Sequence, residues 1–97
     1  MKNNGYLKKH TEALVKDVGI EVACDLSGKS KATIGRYYSD AEEHADRFMP
    51  IDVVAALEEK SSFPHVTSAL ADLRGITMAY DSTKRNATSQ GINSDVV

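Results

Sequence analysis

The stretch from Gly19 to Asp40 constrains the fold most, because it divides into two short helical segments joined by a tight turn. Gly28 interrupts the apolar pattern of the first segment, since glycine adopts backbone angles that a helix interior does not. Ser30 then offers a side-chain oxygen to the orphan N–H groups of a new helix, which is a good N-cap placement. The sequence therefore predicts helices over 20–26 and 30–38 that cross at a glycine-containing turn.

The remaining sequence predicts an all-α fold, a compact bundle of four to five helices that contains this helix-turn-helix. Apolar residues at spacings of three and four predict a first helix over 6–18 and a fifth from about 65 to 74. Pro50 is well placed in the first turn of the fourth helix, where its missing N–H is no loss. Residues 1–80 are expected to form one domain, and the polar residues 81–97 a disordered tail.

Each predicted helix has an apolar face that we expect to be buried in a single core. Ninety-seven residues, of which 41% are apolar, are enough to form such a core. The expected buried residues are Leu7, Thr11, Leu14, Val15 and Val18 in the first helix, Ile20, Val22, Ala23 and Leu26 in the second, Ile34 and Tyr37 in the third, Ile51, Val54, Ala55 and Leu57 in the fourth, and Val66, Ala69, Leu70 and Leu73 in the fifth.

Charge is distributed unevenly along the chain, whose net charge is −2. Between Ser27 and Tyr38 there are three cations and no acid, whereas between Ser39 and Glu59 there are seven acids and one cation. A protein that binds nucleic acid without sequence preference is usually strongly basic, so the net acidity argues against that class. A cationic segment on an acidic body favours instead a sequence-selective binder with weak background affinity.

The segment from Ser30 to Tyr37, which reads SKATIGRY, resembles the recognition helix of Cro/XRE-type regulators, commonly S-x-x-T-I-S-R-Y. Upstream, Ala23 and Leu26 match the small residue and the leucine of the preceding helix in that family. Downstream, residues 49–57 are similar to its proline and fourth helix, although the turn at 27–29 is one residue longer than usual. The resemblance covers roughly residues 7–73 and implies a helix-turn-helix whose second helix enters the major groove of double-stranded DNA.

The resemblance implies a set of DNA-contacting residues on the third helix. These are Lys29, Ser30, Lys31, Ala32, Thr33, Gly35, Arg36 and Tyr38. By resemblance Lys31, Ala32 and Arg36 touch base edges, since arginine pairs with guanine and a methyl group packs on thymine. Lys29, Ser30 and Thr33 would hold phosphate. Gly35 indicates a close approach by either DNA or a neighbouring helix, and Tyr38 either reaches phosphate or covers the edge of the core. The alternative to DNA binding is that the third helix is simply a basic, solvent-exposed helix of the bundle.

The end of the domain carries more apolar surface than the fifth helix alone would bury. The residues concerned are Val66, Leu70, Leu73, Ile76 and Met78. We expect segment 65–80 to form a homodimer interface, because two DNA half-sites mirror a two-fold protein. The alternative is that this strip folds back on the first helix.

The sequence as a whole predicts a dimeric transcriptional regulator of the phage or mobile-element type, with RNA polymerase as a further candidate partner. The rival hypothesis is a protein-interaction scaffold. We expect no enzyme, catalytic residue or cofactor, since no constellation of the required residue types appears. Carboxylates and an imidazole that could bind a metal occur at Glu42, Glu43, His44 and Asp46, but no known ligand spacing fixes them, so we expect an acidic, solvated loop and no metal. No apolar run approaches the ~20 residues of a membrane span, and the lone Cys24 fits a reducing cytoplasm.

Overall fold

The computed structural model describes residues 3–78, which form five α-helices and one short 3-10 helix. The α-helices are α1 (Asn4–Val18), α2 (Ile20–Ser27), α3 (Lys31–Tyr38), α4 (Ile51–Lys60) and α5 (His65–Arg74), and the 3-10 helix is Glu42–His44. No strand occurs within 3–78. The predicted all-α bundle with a helix-turn-helix is confirmed, whereas the predicted disordered tail, 81–97, lies outside the described residues.

Helix α1 is the element on which the other helices assemble. It packs against each of α2, α3, α4 and α5, and its contact with α5 is the most extensive. The core cluster consists of Leu14, Val15, Ala23, Ile34, Met49, Val53, Leu57 and Val66. Leu14, Ile34 and Leu57 are fully buried, so α1, α3 and α4 each contribute a large side chain to one core. This arrangement fixes α3 against the body of the protein through its Ile34 face.

The buried faces of α2, α4 and α5 differ from those expected. In α5, Leu70 and Leu73 are exposed, and only Val66 and Ala69 of the expected face are buried. Val22 and Leu26 are exposed on the outer side of α2, while Ala23 is fully buried. Ile51 and Ala55 lie exposed along one side of α4, and Val53 is buried in their place. Apolar residues lie on more than one side of each of these helices, so the spacing of apolar residues could not identify the side that is buried. In α2 the selected side is the one with the small residue, which lets the helix approach the core closely.

Helix α5 begins after Pro64, which has no side-chain group to cap the helix. Glu58 of α4 does so instead, because its carboxylate accepts hydrogen bonds from the backbone N–H groups of Val66 at 2.8 Å and Thr67 at 2.9 Å. A carboxylate at a helix N-terminus satisfies orphan donors and complements the helix dipole. The start of α5 is therefore fixed by a side chain from the preceding helix.

Asp17 near the end of α1 is the second carboxylate at this junction. It accepts hydrogen bonds from the Ser62 N–H at 3.0 Å and the Ser62 hydroxyl at 2.8 Å, and it lies 2.7 Å from Nε2 of His65. Partial desolvation by itself raises the pKa of Asp17, but the hydrogen bonds from His65 and Ser62 outweigh it, so the pKa lies below its usual value. The junction between α4 and α5 is thus tied to α1 by an ionised side chain.

Candidate nucleic-acid interface

The turn between α2 and α3 consists of Gly28, Lys29 and Ser30. Gly28 has φ +71°, and its N–H closes α2 by donating to the Cys24 carbonyl at 2.8 Å. This left-handed conformation is one that residues with a Cβ rarely adopt. The glycine turn predicted from the sequence is confirmed, and a three-residue connection is within the range for a helix-turn-helix.

Ser30 is the N-cap of α3, as predicted. Its backbone is extended, and its hydroxyl oxygen accepts from the Thr33 N–H at 3.2 Å. The Ser30 hydroxyl also donates to the Thr33 hydroxyl oxygen at 3.1 Å. The Thr33 hydroxyl retains its own proton in this arrangement, so the pair keeps one O–H donor for an external acceptor such as a phosphate oxygen.

The outer face of α3 and its leading turn are cationic and exposed. The exposed residues are Lys29, Ser30, Lys31, Ala32 and Arg36. Ile34, on the opposite side of the helix, is completely buried. The sequence has no acid between Ser27 and Tyr38, so no residue of this segment carries a charge that would repel phosphate. We call these five exposed residues the α3 outer face.

The other three residues predicted to contact DNA lie at the sides of α3. Thr33, Gly35 and Tyr38 are half-buried. Tyr38 packs against the core cluster, and with Gly35 it lines a groove of about 620 Å³ between α1 and α3. A Cβ placed on Gly35 would meet nothing within 4 Å. Among the described residues, no neighbouring helix therefore approaches Gly35 closely enough to require a glycine.

The groove beside α3 contains a cation, Lys9, that could not be assigned to the site from the sequence. Lys9 of α1 is exposed and lines the groove together with Gly35. Glu12 and Asp40 line the same groove, so its charge is mixed, in contrast to the α3 outer face. No sequence signal relates Lys9 to α3, because the two come together only through helix packing.

The five residues predicted to form a dimer interface do not share one surface. Val66 is 7% exposed and belongs to the core, because α5 docks on α1 through it. Leu70, Leu73 and Ile76 are 47%, 40% and 54% exposed, and Met78 is half-buried. We call Leu70, Leu73 and Ile76 the α5 apolar strip. Val66 is therefore not available for the predicted dimer interface, whereas the three residues of the α5 apolar strip are exposed.

No protein-family model matches the chain, and neither a curated protein nor a solved structure matches it significantly. The class is therefore defined by the fold and the site alone: an all-α bundle with a helix-turn-helix whose turn and second helix expose three cations and no acid. None of the described helices is both long and apolar enough to span a bilayer. Within residues 3–78, no three His, Cys, Asp or Glu side chains come together as a metal-binding group.

Proposed function

We propose that this protein is a sequence-specific DNA-binding transcriptional regulator of the Cro/XRE type, with α3 as the recognition helix. The observation that carries the proposal is the α3 outer face, where exposed cations and a methyl group stand opposite a fully buried Ile34. Eight residues of α-helix rise about 12 Å along the axis, which is comparable to the ~12 Å width of a B-DNA major groove. Helix α3 has this length.

Each side chain on this face has a chemical role in the proposal, and Lys31, Ala32 and Arg36 are those that contact base edges. The Arg36 guanidinium donates two hydrogen bonds to guanine, and the Ala32 methyl group packs on the methyl of thymine. Lys29, in the turn, and the Ser30–Thr33 hydroxyl pair bind phosphate and set the position of α3 along the duplex. One such helix reads only a few base pairs, so a second copy of the chain at an adjacent half-site completes the recognition. Occupying this site would block RNA polymerase or bring the regulator into contact with it.

The decisive experiment is selection from a random duplex library at near-physiological salt, with the oligomeric state recorded by sedimentation. We expect enrichment of a two-fold-related motif, whose half-site spacing also reports dimerisation. Folded protein that enriches no motif would refute the proposal.

Three variants then separate base reading from charge. Arg36→Ala should weaken binding to the selected site by about 1–3 kcal/mol and relax the base preference at one position, and Lys29→Ala should weaken binding to all duplexes alike and reduce the salt slope by about 1. Arg74→Ala is the matched control, because Arg74 is exposed in the last turn of α5 and lies outside the α3 outer face. Equal losses from Arg36→Ala and Arg74→Ala would show that only overall charge matters.

A second candidate function is a protein-interaction scaffold, and the α5 apolar strip favours it. Leu70, Leu73 and Ile76 are each at least 40% exposed and lie within seven residues of one another in the chain, and exposed apolar surface of this kind is used for contacts between proteins. A salt series distinguishes the two functions, because phosphate contacts make affinity fall steeply with salt whereas apolar contacts do not.

A further inference from the structure

The C-terminal end of α3 is closed differently from those of α2 and α5. Helices α2 and α5 each end at a left-handed glycine, Gly28 or Gly75, whose N–H bonds back to the last turn. After α3 the chain continues through Ser39 in an extended conformation, with φ −72° and ψ 135°. The last carbonyl groups of a helix have no partner within the helix, so α3 requires another donor.

Lys8 of α1 is that donor. Its side chain is almost completely buried, and the residue is 2% exposed. Its ammonium donates to the carbonyl oxygens of Arg36 at 3.3 Å and Tyr37 at 3.2 Å, and also to that of Arg47. An ammonium has three N–H bonds, so these acceptors account for all of its donors. The same ammonium lies 4.7 Å from the centre of the Phe48 ring, within range of a cation–π contact.

The electrostatic setting explains why a buried cation is tolerated here. Burial lowers the pKa of Lys8, and the charge of Asp46 partly opposes that effect. The two α3 carbonyls lie at the negative end of the helix dipole, where a cation is favourable. A helix dipole and three carbonyl groups thus replace the water that the ammonium lost on folding.

We infer that Lys8 is a positioning residue that fixes the C-terminal half of α3, and with it Arg36, relative to the rest of the domain. One of its acceptors is the backbone carbonyl of Arg36 itself, so the residue that would read guanine is tied directly to α1. The second is in the adjacent residue, and the third belongs to the segment that leads to α4. The consequence for DNA selectivity rests on the proposed function, whereas the structural role does not.

Amide hydrogen exchange tests the structural role without DNA. Lys8→Met keeps an unbranched side chain that is one heavy atom shorter but removes every donor, and Val66→Ala is the control that destabilises the core from α5. At temperatures chosen for equal global stability, we expect amides in α3 to exchange at least ~10-fold faster in Lys8→Met than in the control, since two carbonyls in the last turn of α3 lose their donor. Equal exchange in α3 from the two variants would overturn the inference.

The same variants are then compared on the selected duplex and on a scrambled duplex. Lys8→Met should lower the ratio of the two affinities about 10-fold while leaving the salt slope unchanged, because it displaces a reading residue without removing a phosphate contact. An unchanged ratio would overturn the link to selectivity. If the wild-type protein itself selects no duplex, the proposed function fails, and hydrogen exchange still decides the role of Lys8. Should Lys8→Met not fold, Lys8→Gln, which loses the charge and one of the three N–H donors, takes its place in both comparisons, and the same changes are expected at smaller size.

Discussion

Replacing Asp17 with alanine tests whether the junction between α4 and α5 stabilises the domain. The substitution removes one carboxylate that serves the Ser62 N–H, the Ser62 hydroxyl and His65. The side chains of Asp17 and His65 are only 16% and 22% exposed. The contact between Asp17 and His65 is therefore largely shielded from bulk water, whereas the two hydrogen bonds from Ser62, an exposed residue, compete with it. The loss of all three should still be measurable.

The magnitude follows from the three contacts and from two opposing effects. Hydrogen bonds contribute about 1 kcal/mol each, and somewhat more when one partner is charged, so the three together amount to roughly 3–4 kcal/mol. Alanine has a better helix propensity than aspartate by up to ~0.7 kcal/mol. An acid in the last turn of a helix is also unfavourable by about 0.3–1 kcal/mol. Asp17→Ala should therefore lower the free energy of unfolding by about 2 kcal/mol at pH 7.

The loss should depend on pH in a direction that the structure fixes. The folded pKa of Asp17 is lowered, so its stabilisation is present above the unfolded value of about 3.9 and disappears as the pH falls through the folded pKa. The difference between wild type and Asp17→Ala should consequently shrink below about pH 5, as the carboxylate becomes protonated. A difference that persisted undiminished at a pH where carboxylates are fully protonated would contradict the assignment of an ionised Asp17.

Urea unfolding followed by circular dichroism at several pH values measures both quantities. Glu12→Ala is the matched control, because Glu12 is an acid on the same helix whose partner Lys16 is 72% exposed. Such an exposed pair contributes little, so this control should change the free energy of unfolding by less than about 0.5 kcal/mol. An equally small change for Asp17→Ala would refute the reasoning.

The remaining predictions concern four single positions. Gly28→Ala should destabilise the fold by about 1–2 kcal/mol, because Gly28 has φ +71°. Gly35→Ala should stabilise the fold by up to ~1 kcal/mol, since the added Cβ would meet nothing within 4 Å. Thermal denaturation of the two variants measures both effects. Glu58→Gln should cost about 1 kcal/mol in the same assay, because a neutral amide binds the first N–H groups of α5 less strongly. Leu70→Asp should abolish the self-association proposed for the α5 apolar strip, with little effect on folding, because Leu70 is 47% exposed. Sedimentation velocity of both proteins measures this, and a dimer left unchanged by the substitution would exclude the strip as its interface.

The features that could be predicted from the sequence are those set by local chemistry. Gly28 and Ser30 act within a few residues of themselves, so the turn and the start of α3 follow from residue type alone. The bounds predicted for α5 are those observed, since Pro64 precedes it and Gly75 ends it. Pro50, expected inside α4, lies at its N-cap, a difference of one residue that is usual at helix ends.

The features that could not be predicted depend on residues far apart in the chain. Lys8 reads as an ordinary surface lysine, because its acceptors lie 28, 29 and 39 residues away. Asp17 meets His65 across 48 residues for the same reason. The prediction for the buried side of α2 was also wrong. Val22 and Leu26 fit an apolar stripe in the sequence, but the neighbouring helices pack on the side that carries Ala23, so Val22 and Leu26 stay exposed.

The position of α1 has a consequence for protein engineering. One side chain of this helix, Lys8, closes α3, and another, Asp17, anchors the start of α5. A peptide covering 19–40 would keep its turn and N-cap but would lack the donor that closes α3, so it should be less helical alone than within the domain. A graft of the helix-turn-helix onto another scaffold would need a replacement lysine from the host, and deletions from the N-terminus that pass residue 8 should weaken a helix that begins more than twenty residues later.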